Sequence, residues 1–400
     1  MAATVASGSM NQYSTAVSGG TTPPDLFIRD VPDWTDKLER TDVPLQKMFG
    51  TAPAPDVPML KAEWGWGSPD PYTTTLGASI SSAGATTCTV ATGTGVYFQI
   101  GDRILIDSEE IRVTGIASDT LTITRGFAGT TAATHNNGST IIILGPAVVE
   151  SADDADSPFT QGEVDYNYHQ IMSFTWSLSK RADVTPTYEH RKGARANAEL
   201  RKKMETTAPV RMELTYLLGQ RAQGTSTTPS AMGGLRQSSY ITTQTNLSSA
   251  AFTETNLMDA MQTVNNLVGS SLMPDTIVCS PFMARVISSW YNETRRTTAS
   301  DNKIDVRFTE IETWFGPVKI VPHYLMSTVA NSYVYIMNPE DFKRRPYASS
   351  TGWNTGNYAT QGWKTRGFLR GDHTLIAERA DARAVLYGGS TTAGDYAGLS

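Results

Sequence analysis

The feature of this sequence that most constrains its fold is segment 77–146, which has almost no helix signals. Within it, β-branched residues alternate with polar ones, as in TTCTVAT, RILIDSEEIRVTG and STIIILG. Turn-forming residues recur about every ten residues, at Gly93-Thr94-Gly95, Gly101-Asp102, Asp107-Ser108, Ser118-Asp119 and Asn137-Gly138. Alternation with a period of two and closely spaced turns indicate a compact, many-stranded β-barrel or β-sandwich.

This segment contains His135, one of five histidines in the chain, within LTITRGFAGTTAATHNNG. No Cys, Asp or second His lies near His135 in the sequence at the spacing of metal ligands. The glycines of TRGFAGTT and the HNNG tetrapeptide have the composition of turns and connections. We therefore predict that His135 is structural or exposed, with no catalytic role.

Two extended runs with alternating aromatic residues flank the β-rich segment. The first is VPMLKAEWGWGSPDPYTTT and the second is EVDYNYHQIMSFTWSLSKRADV. Extended segments on either side of an insertion favour an antiparallel hairpin with the small domain at or near its tip. The aromatic residues Trp64, Trp66, Tyr168 and Trp176 fit a packing surface, which is the commoner use, or a platform for sugars or bases.

The most helical stretch of the chain begins at Thr187 and is rich in Ala, Arg, Lys, Glu and Leu. Pro209 should kink or split this helix, and Gly219 should end it. Segment 181–221 has nine Lys/Arg and five Asp/Glu, a local charge of +4 in a chain whose net charge is −6. Either a solvated helix face or a surface that faces a polyanion explains this charge. The candidate basic residues are Arg191, Lys192, Arg195, Arg201, Lys202 and Lys203.

An α/β region follows the helix. TNLMDAMQTVNNLVGS predicts an amphipathic helix, DTIVCS predicts a short buried strand, and Ser280 and Pro281 fit the N-cap and the first residue of a second helix. EIETWFGPVKIVPH indicates a hairpin through Gly316-Pro317. The C-terminal GWKTRGFLRGDHTLIAERADARAVLYGG predicts three strands with Gly-rich turns, and its RGD triplet, 370–372, is expected in a turn.

Composition and motifs argue against several classes of function. The net charge of −6 is not that of a basic nucleic-acid binder, and Cys88 and Cys279 lie too far apart in sequence for a CxxC motif. No apolar window is long enough for a membrane-spanning helix, and no catalytic or phosphate-binding motif is found. The acidic cluster ESADDADSP lacks the glycine and glutamate of an EF-hand. We therefore predict no enzyme activity, cofactor, metal site or membrane partner.

The order of these parts resembles the major capsid proteins of tailed phages with the Hong Kong 97-like fold, and more narrowly the SU10-type major capsid family. The resemblance extends from about Asp25 to the end of the chain. The residues that carry it are NYHQIMSFTWSLSKRADV, SAMGGLRQ, DTIVCSPFMARVISSWY and GFLRGDHTLIAERADARAVLYGG. It implies an α+β fold with an N-arm, an E-loop, a spine helix, a P-domain and an A-domain, plus an inserted all-β domain.

The resemblance also implies a division of the chain and the surfaces used in assembly. The parts are an N-terminal arm at 1–56, E-loop strands at 57–76 and 147–184, the inserted β-domain at 77–146, the spine helix and P-domain at 185–253, the A-domain at 254–345 and a C-terminal β segment of the P- and A-domains at 346–400. N-arm anchors Leu26, Phe27 and Trp34 and E-loop contacts Trp64, Trp66, Tyr168 and Trp176 would lie over neighbouring subunits. The basic helix would face packaged DNA without reading its sequence.

The implied function is that of a major capsid protein, which self-assembles into the icosahedral head shell of a tailed double-stranded DNA phage. The implied partners are further copies of the chain in hexamers and pentamers, a separate scaffolding protein, a portal, packaged DNA and an optional decoration protein. The implied location is the virion capsid, and the host cytoplasm during assembly. Lys61 is the only lysine of the first extended run and no motif marks a partner for it, so we expect no covalent cross-link between subunits.

Two other classes of function stay open at this stage. The first is another virion structural protein, such as a tail tube, fibre or decoration protein, against which the long helix argues. The second is a carbohydrate-binding or carbohydrate-active protein, suggested by the aromatic runs; an enzyme of this kind would need paired carboxylates in a cleft.

Overall fold

The computed structural model of the chain describes residues 42–67, 70–148, 150, 162–181, 196–290, 310–329, 331–358, 363–392 and 395–396. Its helices are α1 (Pro44–Met48), α2 (Ala196–Leu218), α3 (Glu254–Val268), α4 (Pro281–Trp290) and α5 (Met326–Val329). The first ten strands are β1 (Gly50–Thr51), β2 (Lys61–Trp66), β3 (Thr73–Thr75), β4 (Thr87–Thr89), β5 (Asp102–Ile106), β6 (Glu109–Ala117), β7 (Thr120–Thr124), β8 (Thr140–Pro146), β9 (Glu163–Tyr168) and β10 (Gln170–Ser179). The remaining strands are β11 (Thr243–Asn246), β12 (Thr276–Cys279), β13 (Glu310–Thr313), β14 (Gly316–Pro322), β15 (Val334–Met337), β16 (Phe342–Pro346), β17 (Asn354–Asn357), β18 (Lys364–Ala377) and β19 (Ala384–Tyr387).

The chain divides into two compact units, and each is discontinuous in sequence. The described parts of the first unit fall within 42–43, 171–212 and 351–371, and those of the second within 44–170, 213–350 and 372–396.

In the first unit, β17 pairs antiparallel with the first half of β18, from Asn354 opposite Arg370 to Asn357 opposite Gly367. Trp176, Ala208 and Leu369 form its buried core. Gly367 lies against the indole of Trp176, and a Cβ atom at this position would collide with the ring. Glycine is required at this position because the strand and the indole approach so closely.

The predicted long helix is present as α2, and Pro209 does not split it. Proline removes one backbone hydrogen bond from a helix, but Ala208, Met212, Tyr216 and Leu217 on either side of Pro209 are almost fully buried. Because tertiary burial supplies most of the stability of a helix in a protein, α2 continues through the proline. The helix ends at Leu218, directly before the predicted stop at Gly219, while its predicted start at Thr187 lies outside the described residues.

The largest core of the second unit surrounds a six-stranded sheet in the order β11-β19-β15-β12-β14-β13. The apolar faces of α3 and α4 contribute to this core, which includes Leu257, Met261, Ile277, Val286 and Ile336. The predicted buried strand is confirmed as β12. The predicted N-cap of α4 is confirmed as well, because the Ser280 hydroxyl accepts a hydrogen bond of 3.1 Å from the Met283 amide.

Two predictions about turns in the C-terminal third were wrong. The β13–β14 hairpin is present, but its turn is Trp314-Phe315, and Gly316 already opens β14 with a φ of 121°. Residues 370–372, expected in a turn, lie inside β18, and residues 373–377 of that strand pair antiparallel with β16. Pairing with other strands outweighs the weak turn preference of single glycines.

Only part of each extended run forms the predicted hairpin, because β3 at the end of the first run joins a separate sheet and β10 of the second run lies in the sheet that contains β18. Strands β2 and β9 pair antiparallel, from Lys61 opposite Tyr168 to Trp66 opposite Glu163. We call this two-stranded sheet the ribbon. The chain leaves the ribbon after β2, forms a separate sheet and returns through β9.

That separate sheet has the order β3-β8-β5-β6-β7-β4, and it closes on itself. The Gly77 amide donates to the Thr89 carbonyl at 2.8 Å and the Ala91 amide donates to the Thr75 carbonyl at 2.9 Å, which joins the chain next to β3 to the chain next to β4. A Cβ atom at Gly77 would overlap the backbone of Val90, so glycine permits this close approach. The result is a small β-barrel whose interior is filled by apolar side chains such as Ile104, Ile106, Ile111, Leu121 and Ile141.

Candidate functional site

The predicted aromatic contacts of the ribbon and its continuation are largely used inside the chain. Trp64 is 8% exposed and packs against Tyr240 with 5.8 Å between ring centroids. Trp176 is 6% exposed, in the core of the first unit. Tyr168 is half-buried and meets Tyr166 edge to face, while Trp66 is described only by its backbone pairing with Glu163. The two buried indoles therefore have little surface for another molecule.

Other apolar side chains of the ribbon are exposed instead. Val57, Met59 and Leu60, directly before β2, are 68%, 63% and 46% exposed, and Val164 on β9 is 64% exposed. We call these four side chains the ribbon surface. The sequence did not single them out, because the aromatic residues in the same runs were the predicted contacts. A two-stranded sheet with exposed apolar side chains is typical of an element that another surface covers.

Lys61 is the lysine considered above for covalent chemistry. Its ammonium group forms an ion pair with Glu63 and lies 4.1 Å from the centroid of the Tyr166 ring. The hydrogen bond to Glu63 is the largest influence on this lysine and raises its pKa. Lys61 is therefore held protonated, and a protonated amine is not a nucleophile.

A buried carboxylate joins three distant segments of the second unit. Glu213 on α2 is fully buried and accepts hydrogen bonds from the amides of Leu45 at 2.6 Å and Gln46 at 3.2 Å, in the first turn of α1. His323 is also fully buried, with its Nε2 atom 2.9 Å from Glu213. The Leu325 amide donates to Nδ1 of His323, so the ring proton is on Nε2 and is donated to Glu213. This arrangement fixes α1 to α2 and does not leave a free acid or base.

A second buried carboxylate organises the barrel around His135. Glu109 accepts two hydrogen bonds from Arg125, at 2.7 and 2.6 Å, and lies 3.0 Å from Nε2 of His135. Nδ1 of His135 lies 2.7 Å from Asp107. Burial alone would raise the pKa of Glu109, but the hydrogen bonds from Arg125, the Ala133 amide, His135 and the Gly126 amide outweigh it and lower the pKa to about 2.

This arrangement agrees with the predicted structural role of His135, which is 4% exposed. Sequence reasoning did not identify its partners, because Asp107 and Glu109 precede it by 28 and 26 residues. Only the barrel register brings them together. Within the described parts of the chain, no group of three or more His, Cys, Asp or Glu side chains is placed to hold a metal ion. The acidic cluster at 153–156 lies outside the described residues.

The predicted basic face is only partly described. Lys202 and Lys203 are exposed on α2, and Arg201 is paired with Glu205 at 2.8 Å and with the Thr355 hydroxyl at 3.1 Å. Arg191, Lys192 and Arg195 lie outside the described residues, as do the predicted N-arm anchors Leu26, Phe27 and Trp34. Helix α2 itself contains four basic residues (Arg201, Lys202, Lys203, Arg211) and three acidic ones (Glu199, Glu205, Glu213), a net charge of +1. Of the local charge of +4 over 181–221, segment 181–195 has +2, α2 has +1 and Arg221 has +1.

Among the helices of the described residues, none is long and apolar enough to cross a membrane. Both cysteines, Cys88 and Cys279, are buried and reduced, and burial raises the pKa of Cys88 to about 11 and that of Cys279 to about 12. Their thiols therefore stay protonated and unreactive at neutral pH.

Comparison with known proteins gives a family and a fold. Residues 9–390 match the family model described as SU10 major capsid protein. The fold is similar to that of the Cyanophage A-1(L) capsid, with a TM-score of 0.53 and 10% identity over 92% of this chain and 99% of that one. It is also similar to the capsid of a native GTA particle, with a TM-score of 0.50 and 7% identity over 94% and 98% of the two chains. No curated protein sequence matches the chain.

Proposed function

The chain belongs to the SU10 major capsid protein family and forms the head shell of a tailed phage, and we propose that its ribbon and barrel join neighbouring subunits of that shell. The predicted Hong Kong 97-like fold is confirmed, and the protein resides in the capsid of the virion. The family match over residues 9–390 is the observation that carries the function. The role of each surface rests on the contacts described above.

The ribbon surface is the first proposed contact between subunits. Val164 is exposed on β9, and Val57, Met59 and Leu60 are exposed in the segment directly before β2. A two-stranded sheet has little stability of its own. A second copy of the chain would cover these four side chains and remove about 25 cal/mol of unfavourable hydration per Å² of apolar surface. The ribbon would then act as the E-loop of the predicted division, in which 57–76 and 147–184 flank the insertion at 77–146.

A pair of variants tests this contact. Val164→Glu places a charge on the ribbon surface, whereas Val164→Thr keeps the β-branched shape. Because Val164 is exposed, both variants should fold and unfold as the wild type does. We expect Val164→Glu to abolish shells in sedimentation experiments and Val164→Thr to retain them. If the two variants assemble equally well, the ribbon surface is not part of the interface between subunits.

The barrel is the second element, and we assign it a reinforcing role. It has its own buried core and its own buried ion-pair network around Glu109, and it joins the ribbon between β2 and β9. A folded domain at this position can lie against a neighbouring subunit, and such a contact would reinforce the particle. We assign it no catalytic role.

The third element is the basic face of α2 and the residues before it, which we propose contacts packaged DNA. Lys202 and Lys203 are exposed and form no ion pair within the described part of the chain. Contacts of lysines with phosphates release counterions, so binding should weaken steeply with salt and be indifferent to sequence. Replacing both lysines with glutamine should reduce the salt dependence of DNA binding by the purified chain. If the salt dependence of DNA binding is unchanged, these lysines lie on a solvated face and do not contact DNA.

The proposal also includes the assembly partners and the remaining parts of the chain. We propose hexamers and pentamers of the chain, a separate scaffolding protein, a portal and an optional decoration protein, supported by the sequence resemblance to Hong Kong 97-like capsid proteins. The spine and P-domain at 185–253, the A-domain at 254–345 and the C-terminal segment at 346–400 follow the same resemblance. Co-purification of shells with the products of neighbouring genes tests these partners.

A further inference from the structure

The turn between β13 and β14 displays a tryptophan that is almost fully exposed. Trp314 is 95% exposed, more than any other large apolar side chain of the described residues. The turn is held firmly: the Thr313 hydroxyl donates to the Gly316 carbonyl at 2.7 Å and accepts from the Phe315 amide at 3.3 Å. Phe315 packs against the core of the second unit. Trp314 therefore projects from a fixed turn at one edge of the central sheet.

A pocket lies at the opposite edge of the same sheet. It has a volume of about 120 Å³ and is formed by β11, β15, β19 and the loop before β11. Its lining includes Arg236, Ser238, Tyr333, Tyr335 and Tyr387. Tyr335 alternates along β15 with the core residues Val334 and Ile336, so the pocket is on the face of the sheet away from that core.

The chemistry of the pocket suits an indole ring. Tyr333 stacks with Tyr335 and with Tyr387 at centroid distances of 5.9 and 5.7 Å, which places three nearly parallel rings at the pocket. Arg236 is exposed and forms no ion pair in the described part of the chain, and a guanidinium group over a tryptophan is the most favourable cation–π pair. The Tyr335 hydroxyl is buried without a hydrogen-bond partner among the described residues, and it can accept the indole N–H.

The size of the pocket limits how far a ring can enter. Its volume of about 120 Å³ is below the roughly 150 Å³ of a cavity that binds benzene, so one edge of an indole enters between the tyrosines and Arg236 while the rest of the ring lies across the mouth. Trp314 of the same chain does not reach it. The order β15-β12-β14-β13 places three strand spacings, about 14 Å, between the pocket and the β13 edge, before any offset along the strands.

We propose that Trp314 of one subunit inserts into the pocket formed by Arg236, Tyr333 and Tyr335 of the next subunit. A projection at one edge and a receptor at the opposite edge of one sheet make a head-to-tail contact, which generates a ring where the rotation between subunits closes. This inference rests on the proposed function and names a contact within it. It adds a specific side chain and its receptor to the generic self-association of a capsid protein.

Two tryptophan variants test the contact. Trp314→Ala removes the projecting ring, and Trp363→Ala removes another tryptophan that is 80% exposed, in the first unit. Both variants should have the unfolding midpoint of the wild type, because neither ring is buried. Buried tryptophans at interface centres dominate binding, so Trp314→Ala should raise the concentration needed for assembly by about tenfold or more. Trp363→Ala should leave it unchanged.

Site-directed cross-linking tests the geometry in assembled shells. Glu312→Cys lies two residues before Trp314, and Ser238→Cys lines the pocket; both positions are exposed, whereas the native cysteines are buried. A short bifunctional thiol reagent should link subunits only when the two variants are co-assembled, and the link should disappear with Trp314→Ala. Cross-linking of Glu312→Cys with itself would indicate a two-fold contact and overturn the proposal.

The remaining outcomes separate this inference from the proposed function. If Trp314→Ala forms shells at the wild-type concentration, the contact is absent while the capsid function stands. If Ser238→Cys is protected in shells but links to nothing, another molecule occupies the pocket and the proposal is overturned. If the wild type forms no shells with its partner proteins, both the proposed function and this contact are contradicted.

Discussion

The carboxylate of Glu213 accepts a hydrogen bond of 2.6 Å from the backbone amide of Leu45, 168 residues earlier in the chain. The same carboxylate accepts a hydrogen bond of 2.9 Å from Nε2 of His323. One fully buried side chain of α2 therefore holds the first described helix and the loop after β14. This contact connects parts of the chain that sequence reasoning assigned to the arm, the spine helix and the A-domain.

Removing this carboxylate should destabilise the subunit. Glu213→Ala leaves the amides of Leu45 and Gln46 and the His323 ring without an acceptor, and each unsatisfied buried group costs about 1–3 kcal/mol. We expect the free energy of unfolding of the unassembled chain to fall by at least about 2 kcal/mol, measured by urea titration. Glu205→Gln, on the exposed part of the same helix, should change it by less than about 1 kcal/mol. Equal effects of the two substitutions would show that the buried contacts contribute little.

The barrel should be sensitive to acid through Glu109. Its pKa in the folded chain is about 2, below its ordinary value of 4.5, so its hydrogen bonds stabilise the barrel fully above pH 4.5 and are lost as the pH falls towards 2. Hydrogen exchange of peptides from 100–145, corrected for intrinsic rates, should show loss of protection between these values. Glu109→Gln should lower protection at pH 7 and flatten the pH dependence.

The neighbouring residue provides a matched control for this prediction. Glu110 forms a more exposed ion pair with Arg103 at 2.6 Å. Glu110→Gln should retain the acid sensitivity of the wild type. If this variant behaves as Glu109→Gln does, the acid sensitivity arises from the overall charge of the barrel and not from the hydrogen bonds of Glu109.

The barrel should be dispensable for folding but not for particle strength. Replacing 72–148 with a flexible Gly-Ser linker keeps β2 and β9, and closing a loop of this kind costs little because the entropy depends only logarithmically on loop length. We expect the variant to assemble and its shells to dissociate at a lower guanidinium concentration than wild-type shells. Shells of equal resistance would exclude reinforcement, and complete loss of assembly would make the barrel a required interface.

No covalent linkage between subunits is expected at Lys61. Its pairing with Glu63 raises its pKa further above neutral, so the amine is protonated at neutral pH as an ordinary lysine is. Mature particles boiled in detergent should run as a single band of the monomer mass, and Lys61→Arg should assemble as the wild type does. A ladder of multimers that disappears in Lys61→Arg would contradict this expectation.

Much of the local structure could be predicted because it depends on short-range physics. Ser280 and Pro281 have the residue types of a helix N-terminus, and the period-two pattern of 77–146 identified a β-domain before its strands were known. The hairpin of β2 and β9 followed from two extended runs on either side of an insertion. These patterns depend on neighbours within about ten residues, which a sequence displays directly.

The long-range features could not be predicted, because they depend on residues that lie far apart in the sequence. The partners of His135 depend on the barrel register, and the continuation of α2 through Pro209 depends on burial of its other residues. Residues 370–372 join a strand because β18 pairs with β16 and β17, against their glycine content. The pocket around Tyr335 requires three strands and a loop that are separated by more than a hundred residues, from Leu235 to Tyr387.

Negative-stain electron microscopy of the purified full chain, alone and co-expressed with the products of neighbouring open reading frames, tests whether the chain builds a head shell. We expect closed shells, or tubes and sheets built from five- and six-fold rings. Discrete monomers in both preparations, at concentrations that fill the grid, would contradict the assignment as a self-assembling head-shell subunit.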